Sequence, residues 1–458
     1  MNEMYRKRPN SLGTIASSIS TPDIVNPNIQ FEDLPTPVGK PPYHLSLSQI
    51  LTTEEINRIH ENGAISFHIV GDTGGTKKPE NQKIVEMAME YDFKHKDKTK
   101  IPSFFYHLGD VIYKFGEASQ YYSQFYEPYQ YYPAPIFAIP GNKDGSIRKS
   151  GSNIVLDYDK SKNNGKTHTN DNNNKSISNP ANLATVNTST TNKTLSDKSK
   201  NNGKNSNNNK SIPGNPDTIN KIEPYKVPSL KAFMDNFCAK TQHIGPDAED
   251  VNRSTMIQPN VYWTLEAPFL NIVGLYSNVP DGGEIRDPQF NWFVEELKNA
   301  PTDKALIVCV HHTPFAVDDK RSGSEYILNR LDSAFQISDR IPDIIFAGHV
   351  HNYQRFTRTF DGREIPYLVA GMGGHWDLNY MQKHQDDTAI EVPYKVPDRE
   401  DLILENYCDN RHGFMRIQVT SKKIIGKFFA ASRSHESWRK PSKKLDEFEL
   451  DLQKHKIK

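Results

Sequence analysis

The stretch Ile65-Ser66-Phe67-His68-Ile69-Val70-Gly71-Asp72-Thr73-Gly74 decides the fold. Its first part is rich in β-branched and aromatic side chains and reads as a buried strand. Glycine then lets the chain turn sharply, and a carboxylate follows. Alone, such a Gly-Asp is an ordinary turn. Four more apolar runs end in the same way. Residues 104–108 lead into Gly109-Asp110-Val111-Ile112-Tyr113, and residues 136–139 into Pro140-Gly141-Asn142-Lys143-Asp144. Residues 305–310 lead into His311-His312-Thr313-Pro314, and residues 344–347 into Gly348-His349-Val350-His351. Further strand-like runs occupy 269–275, 367–370, 414–419 and 424–430, with helical patterns at 81–91 and 288–299. Strands alternating with helices predict an α/β domain, whose functional groups collect at the carboxyl ends of strands.

Two Asp, one Asn and up to four His at those ends form a mixed oxygen and nitrogen donor set. That chemistry suits Zn, Fe or Mn rather than Ca or a thiolate site. Cys238, Cys309 and Cys408 are odd in number and widely spaced, which argues against a disulfide framework or a cysteine-based zinc site. Cys309 lies inside a strand and reads as a small buried hydrophobe. No Cys-x5-Arg or Gly-x-Ser-x-Gly motif supplies a side-chain nucleophile.

The chain has 458 residues, with 56 Lys+Arg balancing 56 Asp+Glu, which excludes a globally basic nucleic-acid binder. Only 35% of residues are hydrophobic, against roughly 45–50% apolar usage in a typical domain. The deficit is local. From about 146 to 222 the chain is dominated by Asn, Ser, Lys, Thr and Gly, which predicts a disordered low-complexity insertion. Residues 1–45 read as a disordered tail, and 46–432 as one domain carrying the insertion. Residues 433–458 read as a tail with a short surface helix, from the spacing of Leu445, Phe448 and Leu452. No run of 18 apolar residues is present, so no transmembrane helix is expected. The first residues lack the apolar region of a secretory signal, so a cytoplasmic location is expected.

The order Asp-x-Gly, Gly-Asp-x-x-Tyr, Gly-Asn-x-Asp, His-x-Pro, Gly-His-x-His resembles the calcineurin-like metallophosphoesterases. Asp72-Thr73-Gly74 and Tyr113 resemble the purple acid phosphatase branch. The resemblance runs from residue 65 to 429, with echoes at 289–297 and in 368–374 ahead of His375. It implies a two-sheet β-sandwich flanked by helices, in four layers α/β/β/α. It also implies two metal ions about 3.5–4 Å apart, iron with zinc, manganese or a second iron. By resemblance Asp110 bridges both ions, and Asp72, Tyr113 and His351 complete the first site, where a phenolate favours ferric iron. Asn142, His312 and His349 complete the second. His312 is chosen over His311 because His312-Thr313-Pro314 has the family's His-x-Pro spacing, and strand neighbours face opposite sides. His311 is then structural, or a hydrogen-bond donor behind the ligands.

The implied activity is acid phosphatase-like hydrolysis of phosphate esters by a metal-bound hydroxide, on a small-molecule or phosphoprotein substrate. Two alternatives stand beside it. One is a phosphodiesterase or nucleotide pyrophosphatase using the same centre; the other is a metal-stabilised scaffold whose insertion or tails bind partners. Some positions depart from the family. Lys143 stands where the family has a histidine that contacts the phosphoryl group, and it holds phosphate as a point charge. With an ordinary pKa of about 10.4 it is a poorer proton donor. Arg321 stands near where purple acid phosphatases carry a further histidine, and reads either as a phosphate contact or as an ordinary loop arginine. His375 follows Gly373-Gly374 and reads either as a pocket-lining residue or as a hydrogen-bonded loop histidine. Asp144 is expected to brace the Asn142 loop.

Overall fold

A computed structural model describes residues 34–75, 77–113, 115–145, 230–277, 283–433, 435–436 and 441–458. The predicted insertion and residues 1–33 of the predicted tail lie outside the described residues. The strands are β1 (His44–Ser46), β2 (Ile65–Val70), β3 (Pro102–His107), β4 (Ile136–Ala138), β5 (Trp263–Ala267), β6 (Leu270–Leu275), β7 (Ala305–Val310) and β8 (Ile344–Ala347). They continue as β9 (Tyr353–Phe360), β10 (Arg363–Ala370), β11 (Tyr394–Lys395), β12 (Leu402–Cys408), β13 (Gly413–Val419), β14 (Lys423–Ala431), β15 (Ser442–Asp451) and β16 (Lys456–Ile457). The helices are α1 (Thr53–Asn62), α2 (Pro79–Tyr91), α3 (Lys231–Phe237), α4 (Asp287–Asn299) and α5 (Glu325–Ser338).

These strands form two mixed sheets. One has nine strands in the order β1-β5-β6-β7-β8-β10-β9-β12-β11, the other seven in the order β16-β15-β14-β13-β2-β3-β4. The runs β2-β3-β4 and β6-β7-β8-β10 are parallel. Such sheets must be covered on both faces, and β7 shows how. Leu306, Val308 and Val310 pack with Phe293 and Leu297 of α4 and Leu331 and Phe335 of α5. Ile307 and Cys309, on the opposite face, join the core between the sheets with Phe67, Phe104 and Tyr106. The far side of the seven-stranded sheet carries α2, against β13 and β14. The four-layer expectation therefore holds.

Aromatic pairs set the spacing of the layers. Tyr106 of β3 stacks on Trp263 of β5 with ring centroids 6.0 Å apart, and Tyr353 of β9 on Phe428 of β14 at 4.2 Å. A side chain on Gly274 would run into the Tyr106 hydroxyl, so only glycine fits beneath that ring. All three cysteines are free and buried. Among the described residues, no helix is long and apolar enough to cross a membrane.

Both ends depart from expectation. Residues 34–45 are not wholly tail: the Val38 and Gly39 amides donate to Pro259 O at 3.1 and 2.8 Å, and His44–Ser46 pairs with β5. The predicted C-terminal surface helix is instead β15, paired with β14. The buried residues of β15 are Asp446, Phe448 and Leu450, a period of two, while Leu445 faces out. Phe448 lies opposite Gly426 of β14, where any side chain would strike its ring.

Asp446 joins the sheets by accepting hydrogen bonds from Tyr353 Oη at 2.7 Å and from Arg355 Nε and Nη2 at 2.7 and 3.1 Å. Burial raises the pKa of its carboxyl, but the Arg355 and Tyr353 interactions outweigh that and hold it below the ordinary range. The pair therefore stabilises the fold above the unfolded carboxyl pKa, and that contribution is lost as pH falls through the depressed folded value. Asp446→Ala leaves a largely buried guanidinium uncompensated and is expected to cost about 3–5 kcal/mol in denaturant unfolding at pH 7. Most of that difference should vanish as pH is lowered through the folded pKa.

Candidate metal centre

Five turns at the carboxyl ends of parallel strands converge. β2, β3 and β4 present Asp72, Asp110 and Asn142; β7 presents His311 and His312; β8 presents His349 and His351. Asp72, Asp110 and His349 have left-handed backbones, with φ of 57°, 54° and 69°. Each such non-glycine residue persists only where its surroundings over-determine it. Here they do. The Asp72 amide donates to Gly109 O at 3.0 Å, and the His375 amide to Asp72 O at 3.0 Å. The His349 amide donates to Asp72 Oδ2 at 2.9 Å, and the Lys143 amide to Asp110 Oδ1 at 2.8 Å. The glycines before the donors are steric requirements. A Cβ on Gly348 would sit 2.6 Å from Asp72 Oδ2, and one on Gly141 would collide with Asp110 Oδ1.

The donors fall into two adjoining groups, with Asp72 of the first within 4.8 Å of Asp110 and His311 of the second. In the first, Tyr113 Oη lies 3.3 Å from Asp72 Oδ1 and 3.4 Å from His351 Nε2, and that nitrogen lies 3.5 Å from Asp72 Oδ1. These separations are long for strong hydrogen bonds. They match the edge of about 3.4 Å between donors held about 2.1 Å from one tetrahedral ion. In the second, Asn142 Oδ1 lies 3.1 Å from His311 Nε2 and 3.2 Å from His349 Nδ1, and His311 Nε2 lies 3.4 Å from Asp110 Oδ1. Asp72, Asp110 and His311 offer ligand atoms that all lie within 4.8 Å of one another. Asp110 Oδ2 is buried and has no hydrogen-bond partner among the described residues.

Electrostatics point the same way. Burial pushes Asp72 up to about 7, with His311 opposing and the Asp110 charge adding to the rise. Burial also raises Asp110, but His311, Lys143 and the Lys143 amide bring it below the ordinary range. Burial lowers His351 to about 3, with Arg321 adding to the effect. The Tyr113 phenol is driven well above its ordinary value by burial and by Asp110 and Asp72. Two facing carboxylates, a buried unpartnered oxygen and a neutral imidazole are what bound cations would reconcile, so the residues fit a metal pair.

The ring seen to reach Asn142 and Asp110 is that of His311, while the expected ligand His312 keeps a buried Nε2. The reason is strand parity. His311 follows Ile307 and Cys309 on the face toward the other sheet, and His312 follows Val308 and Val310 on the helix-facing side. The His312 amide donates to Ser277 Oγ at 3.2 Å, and the Ser277 hydroxyl lies 2.7 Å from His312 Nδ1. The His312 ring stays near the site, 4.3 Å from the His349 ring. Ser277, after β6, had no signal in the sequence motifs.

At the periphery, the His375 ring lies tilted against two others, its centroid 4.3 Å from that of His351 and 4.4 Å from that of Tyr113. Burial lowers its pKa to about 2, with His351 adding to the effect. Arg321 Nη1 donates to the His349 carbonyl, which ties its loop to the site. His351 Nδ1 pairs with Asp377 O at 2.8 Å, leaving Nε2 toward Tyr113. Asp144 braces the Asn142 turn, accepting from the amides of Gly141, Ile112 and Val111 at 2.8, 2.9 and 3.2 Å.

A family model described as calcineurin-like phosphoesterase matches residues 65–353. Purple acid phosphatase 21 of Arabidopsis thaliana is 24% identical over 200 residues, 42% of this chain and 38% of that protein. Purple acid phosphatase 22 of the same plant is 20% identical over 187 residues, 39% of this chain and 37% of that protein. The chain thus matches well under half the length of these relatives. The solved purple acid phosphatase of yellow lupin (Lupinus luteus) seeds superposes with a TM-score of 0.47 at 13% identity, covering 85% of this chain and 54% of that one.

The Gly141 contact gives a direct test of the cradle. Gly141→Ala pushes a methyl group into Asp110 Oδ1 and is expected to cut bound metal, read by elemental analysis, by about tenfold or more. Circular dichroism and the melting transition should still report a folded chain.

Proposed function

The chain belongs to the calcineurin-like phosphoesterase family, and from its site we propose that it is a phosphate ester hydrolase working with two metal ions. The observation that carries this reading is the pair of donor groups meeting at Asp110, whose Oδ2 is buried and has no hydrogen-bond partner among the described residues. Asp110 would bridge. Asp72, Tyr113 and His351 would hold one ion, and Asn142, His311 and His349 the other. Bound there, the two cations would supply an activated water and neutralise charge on the phosphoryl oxygens. Tyr113 bears on metal identity: its buried phenol ionises only beside a strongly charged cation, which favours ferric iron in the first site and zinc, manganese or iron in the second. Tyr113→Phe is expected to abolish any visible phenolate-to-iron absorption band.

The chain's own residues handle the substrate. Lys143 and Arg321 both act electrostatically on the cluster, Lys143 on Asp110 and Arg321 on Asp72. We place them at the phosphoryl oxygens, Lys143 as a compact charge and Arg321 as a planar donor fork. His375 walls the first site against Tyr113 and His351. The substrate is a phosphate ester, small or carried on a protein. Lys143 in place of histidine gives little help to an unactivated leaving oxygen, so activated esters should be favoured.

The assay is hydrolysis of p-nitrophenyl phosphate and of bis-p-nitrophenyl phosphate, with metal content measured on the same preparation. Asp110→Asn should lower turnover by at least about a hundredfold. A faster diester than monoester would identify a phosphodiesterase with the same centre. A chain carrying two metals yet inert to both esters would sink the hydrolase reading. Lys143→His should raise turnover of an alkyl phosphate more than that of p-nitrophenyl phosphate.

A further inference from the structure

His107 closes β3 with its imidazole fully buried, and the chemistry above makes no use of it. Its Nδ1 accepts the Gly109 amide at 3.1 Å, and its Nε2 lies 2.8 Å from Thr73 Oγ1. A nitrogen accepting an N–H has its lone pair there, so the ring proton sits on Nε2 and is donated to the threonine oxygen. Burial lowers the pKa to about 3, which agrees with a neutral ring.

The two partners are the neighbours of the two carboxylates. Gly109 precedes Asp110, and Thr73 follows Asp72. The Asp72 amide also donates to Gly109 O at 3.0 Å. A closed circuit results, from the imidazole to Thr73, along the chain to Asp72, across to Gly109 and back to the imidazole. Both turns place a non-glycine residue in the left-handed region, φ 57° at Asp72 and 54° at Asp110. A leucine could fill the volume at 107 but would make neither bond.

We propose that His107 is a positioning residue for the metal centre: its two ring nitrogens lock the Asp72 turn to the Asp110 turn and so set the spacing of the two carboxylates toward the cations. This rests on the metal-dependent reading above. The test is Mn(II) binding to the metal-free full chain by titration calorimetry, alongside the melting transition. His107→Leu and Thr73→Val should each weaken Mn(II) binding by about tenfold or more. Thr73→Ser retains the hydroxyl and should bind as the wild type does. His107→Gln can still donate to Thr73 and should fall between. Thr73→Val spares the core imidazole, so it remains decisive should His107→Leu fail to fold. A folded Thr73→Val chain binding Mn(II) with wild-type affinity overturns the proposal even if His107→Leu binds weakly, because packing alone would then explain His107. A wild-type chain that binds no Mn(II) overturns the metal-dependent reading and this proposal with it.

Discussion

Two carboxylates buried close together set the terms for the rest of the structure. Asp72 and Asp110 come from adjacent parallel strands and are both buried. Unscreened like charges at that depth are costly, and burial with the Asp110 charge pushes Asp72 up to about 7 even with His311 opposing. The chain spends further strain there, in the left-handed backbones of both residues and of His349. A fold tolerates such a concentration of unfavourable terms when a cation resolves it. Glycines at 141 and 348 keep Cβ atoms away from the same carboxylate oxygens.

The centre also depends on how far apart the two sheets lie. Asp72, Asp110 and Asn142 hang from the seven-stranded sheet, and His311, His349 and His351 from the nine-stranded one. Neither sheet holds a complete donor group. The inter-sheet core is therefore a functional element: Tyr106 on Trp263, Tyr353 on Phe428 and the Asp446 bridge fix the distance across which Asn142 Oδ1 meets His311 and His349.

Much of this was legible in the sequence, for identifiable reasons. Strands buried on both faces read as continuous apolar runs, so β2, β7 and β8 appear with their observed limits. The turn after each carries Gly with Asp, Asn or His, or a bare His pair, and that chemistry is visible without coordinates. Legibility fails where one residue type serves two periods. In β15 the alternation Glu447-Phe448-Glu449-Leu450 marks a half-buried strand, but Leu445, Phe448 and Leu452 also satisfy a helical spacing. Only pairing with β14 decides between them. Short edge strands such as His44–Ser46 carry too few residues for any period. Motif spacing favours His312, whereas parity along β7 turns His311 toward Asn142 and Asp110. His107 and Ser277 act through side-chain contacts made only after the turns converge.

The departure at Lys143 shows how the site divides its labour. Lys143 gives Asp110 a nearby positive charge and its backbone amide, at 2.8 Å, and any residue at that position except proline supplies the second. The carboxylate is held by the turn, braced by Asp144 on the amides of Gly141, Ile112 and Val111. On the reading proposed above, the side chain at 143 adds a positive charge toward the substrate from a turn that does not need lysine to hold its shape. On that reading, exchanging histidine for lysine changes the charge and proton chemistry offered to the phosphoryl group while the backbone bond to Asp110 is kept. Backbone bonds hold the turn that carries the side-chain donors, so a change of side chain at 143 leaves that turn in place while altering the charge beside Asp110.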